Sequence, residues 1–257
     1  TNTPDVLTET TADFGFALMM AAARRITESE RYLRRGEWTR WRYDMFTGAD
    51  LHGATLGILG MGRIGQAIAR RAAHGFRMNV LYHNRSRLAP DREAACKARY
   101  VSKDELLRAA DHLVLVLPYS AQSHHTIGAA ELAQMKPTAT LVNIARGGIV
   151  DDGALARALR EGRIAAAGLD VFMTCSICCL LDAGSGRKVT VGGPSTRRPM
   201  AGRSGQGQAG RPGARSTAGW SSRCCTTSGN GARRSHPTAR AAGGCSGSRP
   251  TAPSRTR

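Results

Sequence analysis

The chain has 257 residues, long enough for one or two domains with substantial cores, and carries a net charge of +18 with only 5% aromatic residues. The excess is uneven: residues 173–257 hold 14 Lys and Arg against one acid, Asp182, a net of +13, and residues 1–172 carry only +5. No apolar run reaches the roughly 18–20 residues that cross a bilayer, and Thr1-Asn2-Thr3-Pro4 has no charged-then-apolar leader pattern. With Cys96 as the only cysteine before residue 173, these features argue against a membrane or disulfide-built secreted protein and for a reduced, cytoplasmic one. Without an initiator Met, the chain is expected to begin inside a larger protein.

In chain order, Asp13 to Arg31 predicts one long helix. Phe14, Ala17, Leu18, Ala21 and Ala22 recur at helical spacing, and Thr10 or Thr11 can cap its start. The broad apolar face should be buried. Gly36 to Asp50, with Trp38 and Trp41, reads as an irregular arm. Thr55–Leu59 predicts a strand, followed by a helix from Ile64 to about Ala73, then strands at Asn79–Tyr82 and Arg99–Val101. Ser102 should cap a helix over Asp104–Ala110. Leu113–Leu117 and Thr140–Ile144 are further apolar strands, Asp151–Glu161 a helix ended by Gly162, and Ala165–Val171 the last strand.

Continuously apolar strands separated by helices indicate a parallel sheet covered on both faces. Residues 50–172 therefore predict an α/β, doubly wound (Rossmann-type) nucleotide-binding domain, with residues 1–49 as its long helix and arm. Between Ala201 and Arg257 there is no Val, Ile, Leu, Met, Phe or Tyr. Such a segment cannot offset about 1–2 kcal/mol per residue of backbone ordering. Residues 173–257 are therefore expected to be a disordered, low-complexity basic tail.

Gly60-Met61-Gly62-Arg63-Ile64-Gly65 fits G-x-G-x-x-G, and it directly follows an apolar strand and opens a helix. Gly60 permits the tight turn, Gly62 lets backbone approach a pyrophosphate, and Gly65 lets helix and strand pack closely. The helix N-terminus offers free N–H groups to the phosphates. The alternative is the same turn without a ligand. Asn84 follows Gly65 by 19 residues, where an NAD-specific protein usually carries Asp or Glu for the ribose 2′-hydroxyl. Here a neutral Asn84 precedes Arg85, Ser86 and Arg87. A carboxylate would repel a 2′-phosphate, whereas guanidinium and hydroxyl groups bind one. NADP(H) is thus expected over NAD(H), the alternative being a solvated basic loop.

Three stretches in succession, Leu56–Gly65, Asn143–Asp151 and Ala167–Phe172, resemble signatures of the D-isomer-specific 2-hydroxyacid dehydrogenases. The likeness covers about residues 1–172 and is nearest the glyoxylate/hydroxypyruvate/2-ketogluconate reductase branch, which commonly uses NADPH. It implies reduction of a small 2-keto acid to the D-2-hydroxy acid, with Arg146 binding the substrate carboxylate and polarising the keto group. It also implies Arg63 and Ile64 at the pyrophosphate, Leu117 and Pro118 near the adenosine, and Ile144, Ala145 and Asp170 near the nicotinamide. His124 and His125 fall where the family often has a structural His. A homodimer is implied for the intact family member.

The pattern breaks after Phe172. The family continues into Glu-x-Glu-Pro, whose second Glu orients an acid His, but Cys175 stands at that Glu position. The later Pro-His is absent, and His236 lies in a segment without helix or strand signal. Most of the substrate domain is missing as well, so turnover by this chain should be impaired. The Arg-, Gly- and Ser-rich tail is what out-of-frame translation of a GC-rich gene near codon 173 would give. One rival reading is a non-catalytic NADP-binding module whose tail engages nucleic acid. Charge alone supports only non-specific binding, and aromatics for base stacking are lacking. Cys175, Cys178 and Cys179 lack the second ligand pair of a structural zinc site, so no metal is expected.

Overall fold

Seven strands form one fully parallel sheet in the order β3-β2-β1-β4-β5-β6-β7 in a computed structural model that describes residues 6–173 and 189–191. They are β1 (Thr55–Leu59), β2 (Asn79–His83), β3 (Ala98–Tyr100), β4 (His112–Leu115), β5 (Thr140–Asn143), β6 (Ala166–Leu169) and β7 (Val189–Val191). The chain lays β2 and β3 to one side of β1 and β4 to β7 to the other. The reversal between β1 and β4 is the point where such sheets bind ligands, outside the carboxyl ends of the strands. Every residue of β4, β5 and β6 is buried, as a sheet covered on both faces requires.

One face packs against α1 (Thr8–Ala23) and α3 (Arg63–Arg70), with Met19, Leu56, Ile58, Ile68 and Tyr82 at its centre. The other packs against α5 (Lys103–Ala109), α6 (Ala129–Gln134) and α7 (Asp152–Glu161), around Leu106, Leu113, Leu115, Leu141 and Leu155. Ser102 accepts the Glu105 N–H at 3.1 Å and caps α5. Asp151 caps α7 through the Ala154 N–H at 3.0 Å, and Gly162, at φ 71°, ends it.

Several expectations require correction. The single helix predicted over Asp13–Arg31 is two, α1 and α2 (Ile26–Arg34), broken at Arg24–Arg25. The break has local partners. The Ala23 carbonyl accepts the Ala49 N–H of the arm at 2.9 Å. Arg25, left-handed at φ 56°, holds Glu28 with both arms of its guanidinium and lies 5.2 Å from the Phe46 ring centre. The buried face of α1 is also not the predicted one: Ala12, Gly15, Phe16, Met19 and Ala23 face inward beside Leu18 and Ala22, while Phe14 and Ala17 face out. Neither Thr10 nor Thr11 caps the start, which falls at Leu7 without a side-chain cap.

Two short helices were not predicted, α4 (Pro90–Cys96) and α6; both are six or seven residues long and too brief to show a helical period. The helix after the glycine turn runs through α3 and continues as a single wider turn over Arg71–Gly75. β4 ends at Leu115, so Leu117 belongs to the loop beyond it. Val189–Val191 lies within the stretch expected to have no order, yet it pairs in parallel with β6, and Thr190 Oγ1 lies 3.0 Å from Thr27 Oγ1. The remainder of the predicted tail, with Cys175, Cys178 and Cys179, lies outside the described residues.

Candidate nucleotide and substrate site

The turn between β1 and α3 is built as its residue types require. Gly60 has φ +104°, and a Cβ there would lie 2.6 Å from the Val116 carbonyl oxygen, so only glycine fits. A Cβ on Gly65 would meet the Gly60 carbonyl oxygen at 2.5 Å, which makes Gly65 the close-packing position of helix on strand. Gly62 is different: it caps α3 with an ordinary extended backbone, and nothing lies within 4 Å of its missing Cβ. Its side faces open space at the first amides of the helix. Arg63 opens α3 and is exposed, and Ile64 is half-buried against the core.

Asn84, at the end of β2, lines the same cleft and is also structural. Its Oδ1 accepts the Met61 N–H at 2.7 Å, which ties the β2 end to the glycine turn. The cleft has a volume of about 910 Å³ and brings together Gly60, Gly62, Asn84, Arg85, Ser86, Leu117 and Pro118. Arg85 and Ser86 are exposed along it, and Arg85 has no ion-pair partner among the described residues. Arg87 is committed elsewhere: its guanidinium holds the Glu93 carboxylate at 2.9 and 2.8 Å. That pairing, with a hydrogen bond from the Tyr82 hydroxyl, brings the Glu93 carboxyl down to about 2. Burial and the Glu93 contact push the Tyr82 phenol up to about 12.

The cleft also includes Lys103, Ser120, Gln122 and Thr126, which were not predicted. They come from a helix start and an irregular loop without a motif, and only the fold brings them to Leu117. Lys103 is held by the Thr126 carbonyl at 2.8 Å and Glu131 at 2.9 Å.

Arg146 follows β5 at the same edge of the sheet. Leu59, Leu115, Asn143 and Leu169 form one row across β1, β4, β5 and β6. The glycine turn and the Arg146 loop thus leave the sheet two strand spacings apart, about 10 Å. The loop is folded by Asn143, which sequence reasoning did not single out. Its buried Oδ1 accepts the Ala145 N–H at 3.1 Å, its Nδ2 donates to the Arg146 carbonyl at 3.3 Å, and its own carbonyl accepts the Asp170 N–H at 3.0 Å. An Asn ending an otherwise apolar strand is the signal that could have found it. Arg146 itself is exposed, with Nη1 on the Ala145 carbonyl at 2.7 Å. Burial raises the Asp170 carboxyl above its ordinary range, opposed by the Arg146 charge.

Ile144 and Ala145 are buried; Ile144 turns its side chain under α1 against Gly15, so only its backbone can face the cleft. His124 and His125 stack on each other with ring centres 3.8 Å apart, and His124 Nδ1 meets the Tyr119 hydroxyl at 3.1 Å. A smaller cleft of about 510 Å³ opens at the opposite edge of the sheet beside Pro137, Thr140 and Gly162, and no candidate residue reaches it. Among the described residues no three His, Cys, Asp or Glu side chains are grouped to hold a metal, and no helix is long and apolar enough to cross a membrane.

A parallel sheet reversing at β1, with a glycine turn opening a helix at that reversal, defines a dinucleotide-binding domain. The family model for the D-isomer specific 2-hydroxyacid dehydrogenase, NAD binding domain, matches residues 16–178. The chain belongs to that family. It is 53% identical over 176 residues to the glyoxylate reductase of Thermococcus gammatolerans, covering 67% of this chain and 52% of that one. Among solved structures it is similar to the TT0316 protein from Thermus thermophilus, with 41% identity, TM-score 0.66, and coverage of 74% of this chain and 59% of that one. A glyoxylate reductase from Paecilomyes thermophila follows, at 40% identity, TM-score 0.64, and coverage of 74% and 56%. The chain spans about half the length of the curated relatives it matches.

Proposed function

We propose that the cleft beside the glycine turn binds NADP(H) in preference to NAD(H), and that the site is of the kind that reduces a small 2-keto acid such as glyoxylate or hydroxypyruvate, a reaction impaired in this chain. The observation that carries this reading is the shared carboxyl edge of Gly60–Gly65 and Arg146. The α3 amides would hold the pyrophosphate of a dinucleotide, and Arg146 stands on the same edge of the sheet.

The residues present fit such a group. Gly62 leaves the phosphate approach open, Arg63 and Ile64 begin the helix that faces it, and Leu117 and Pro118 border the adenosine side. Arg85 and Ser86 offer charge and a hydroxyl to a 2′-phosphate, and no carboxylate stands at the Asn84 position to repel it. When bound, the nicotinamide supplies the hydride. Arg146 binds the substrate carboxylate with its fork of donors and stabilises the negative charge growing on the keto oxygen. Ala145 and Asp170 border that end, with Asn143 fixing the loop.

Proton delivery is where this chain falls short of the family pattern, with Cys175 in place of the orienting Glu. Losing a general acid costs on the order of 10²–10⁴-fold, so turnover should be negligible. NADPH and NADH fluorescence titrations of the full chain test the cofactor reading. Tighter binding of NADPH is expected; equal affinity, or preference for NADH, overturns it.

A further inference from the structure

The segment from Asn84 to Leu88 is held at both ends by tyrosine hydroxyls. Tyr100 donates to the Asn84 carbonyl at 3.1 Å. The Tyr82 hydroxyl accepts the Leu88 N–H at 2.8 Å and donates to Glu93 at 2.5 Å. The two rings meet edge to face, 5.4 Å between centres, and Tyr82 is fully buried. Glu93, itself buried, then takes both arms of the Arg87 guanidinium. Of the polar side chains between the two anchors, Asn84 is spent on the glycine turn and Arg87 on Glu93. Arg85 and Ser86 line the cleft without such a commitment.

We propose that Tyr100, Tyr82 and Glu93 are positioning residues for nucleotide selection: they fix the ends of this segment so that Arg85 and Ser86, and not Arg87, meet the ribose 2′-phosphate. The inference rests on the NADP reading above. Its physical basis is that an exposed Arg gains little from a phosphate unless its backbone is already placed, because ordering a loop and a long side chain offsets the attraction. Two anchors on a five-residue segment supply that placement before the nucleotide arrives.

The opposing arrangement, with Arg87 as the direct phosphate ligand, makes the opposite prediction for one substitution. Glu93→Gln would free Arg87 and raise the NADPH-to-NADH affinity ratio if Arg87 were the ligand. If Glu93 positions the segment, the ratio falls, by about threefold to tenfold for a loosened charge-assisted contact. Tyr100→Phe, at a half-buried site that keeps the ring, should lower the ratio in the same direction, and it covers the case in which the Glu93 variant does not fold. Both are measured on the full chain by titration with NADPH and NADH, alongside competition by 2′,5′-ADP and 5′-ADP. A fall in the ratio with NADH affinity retained supports the proposal. A rise, an unchanged ratio, or equal weakening of both nucleotides overturns it. A native chain without preference for NADPH would instead sink the cofactor reading on which the proposal stands.

Discussion

Three glycines share one turn but serve separable purposes. Gly60 carries a positive φ and abuts the Val116 carbonyl, so Gly60→Ala combines backbone strain with a collision that no side-chain movement relieves. Strain of this kind costs on the order of 1–3 kcal/mol, and the melting temperature should fall with it. Gly62 has an unstrained backbone and empty space beside it, so Gly62→Ala should leave the melting temperature nearly unchanged while weakening NADPH strongly. A calorimetric scan and a nucleotide titration on both variants check the contrast. Equal effects on stability and binding in the two variants would show that the turn is structural only. The tight turn at Gly60 was legible from the motif and its strand-to-helix setting. The carboxamide contact from Asn84 to Met61 was not, because its partner is 23 residues away and reached only through the β1–β2 pairing.

Among the elements, α1 packs behind the site without lining it. It lies across β5 and β6, and Gly15 and Gly168 allow the approach. A Cβ on Gly168 would sit 2.9 Å from Leu18 Cγ and 3.1 Å from the Leu18 carbonyl oxygen. Gly168→Ala should therefore lift α1 from the β6 end and destabilise the chain by about 1–3 kcal/mol, read as a lower urea midpoint. An unchanged midpoint would mean that the helix gives way freely. The sequence period placed a buried helix here but misassigned its face and length. Alanines and methionines on several sides of α1 leave the stripe ambiguous, and the stop at Arg25 depends on Glu28, Phe46 and the arm, contacts made by the fold. The strands were easier to read because parallel strands buried on both faces are continuous apolar runs. β7 escaped notice since three residues in a polar surrounding leave no such run.

At the scale of the molecule, the doubly wound order brings residues more than 80 positions apart, Gly60 and Arg146, to one edge of one sheet. That adjacency is a property of topology, and the sequence disclosed it only through the alternation of strands and helices. In the proposed function, one extended nucleotide joins these two ends. Amide hydrogen exchange on the full chain, with and without saturating NADPH, tests it directly. Slowed exchange is expected at both Gly62–Gly65 and Asn143–Gly148, with the amino-terminal edge around Thr138–Thr140 unaffected. Protection of neither segment, or protection confined to that opposite edge, would show that no nucleotide spans the two ends.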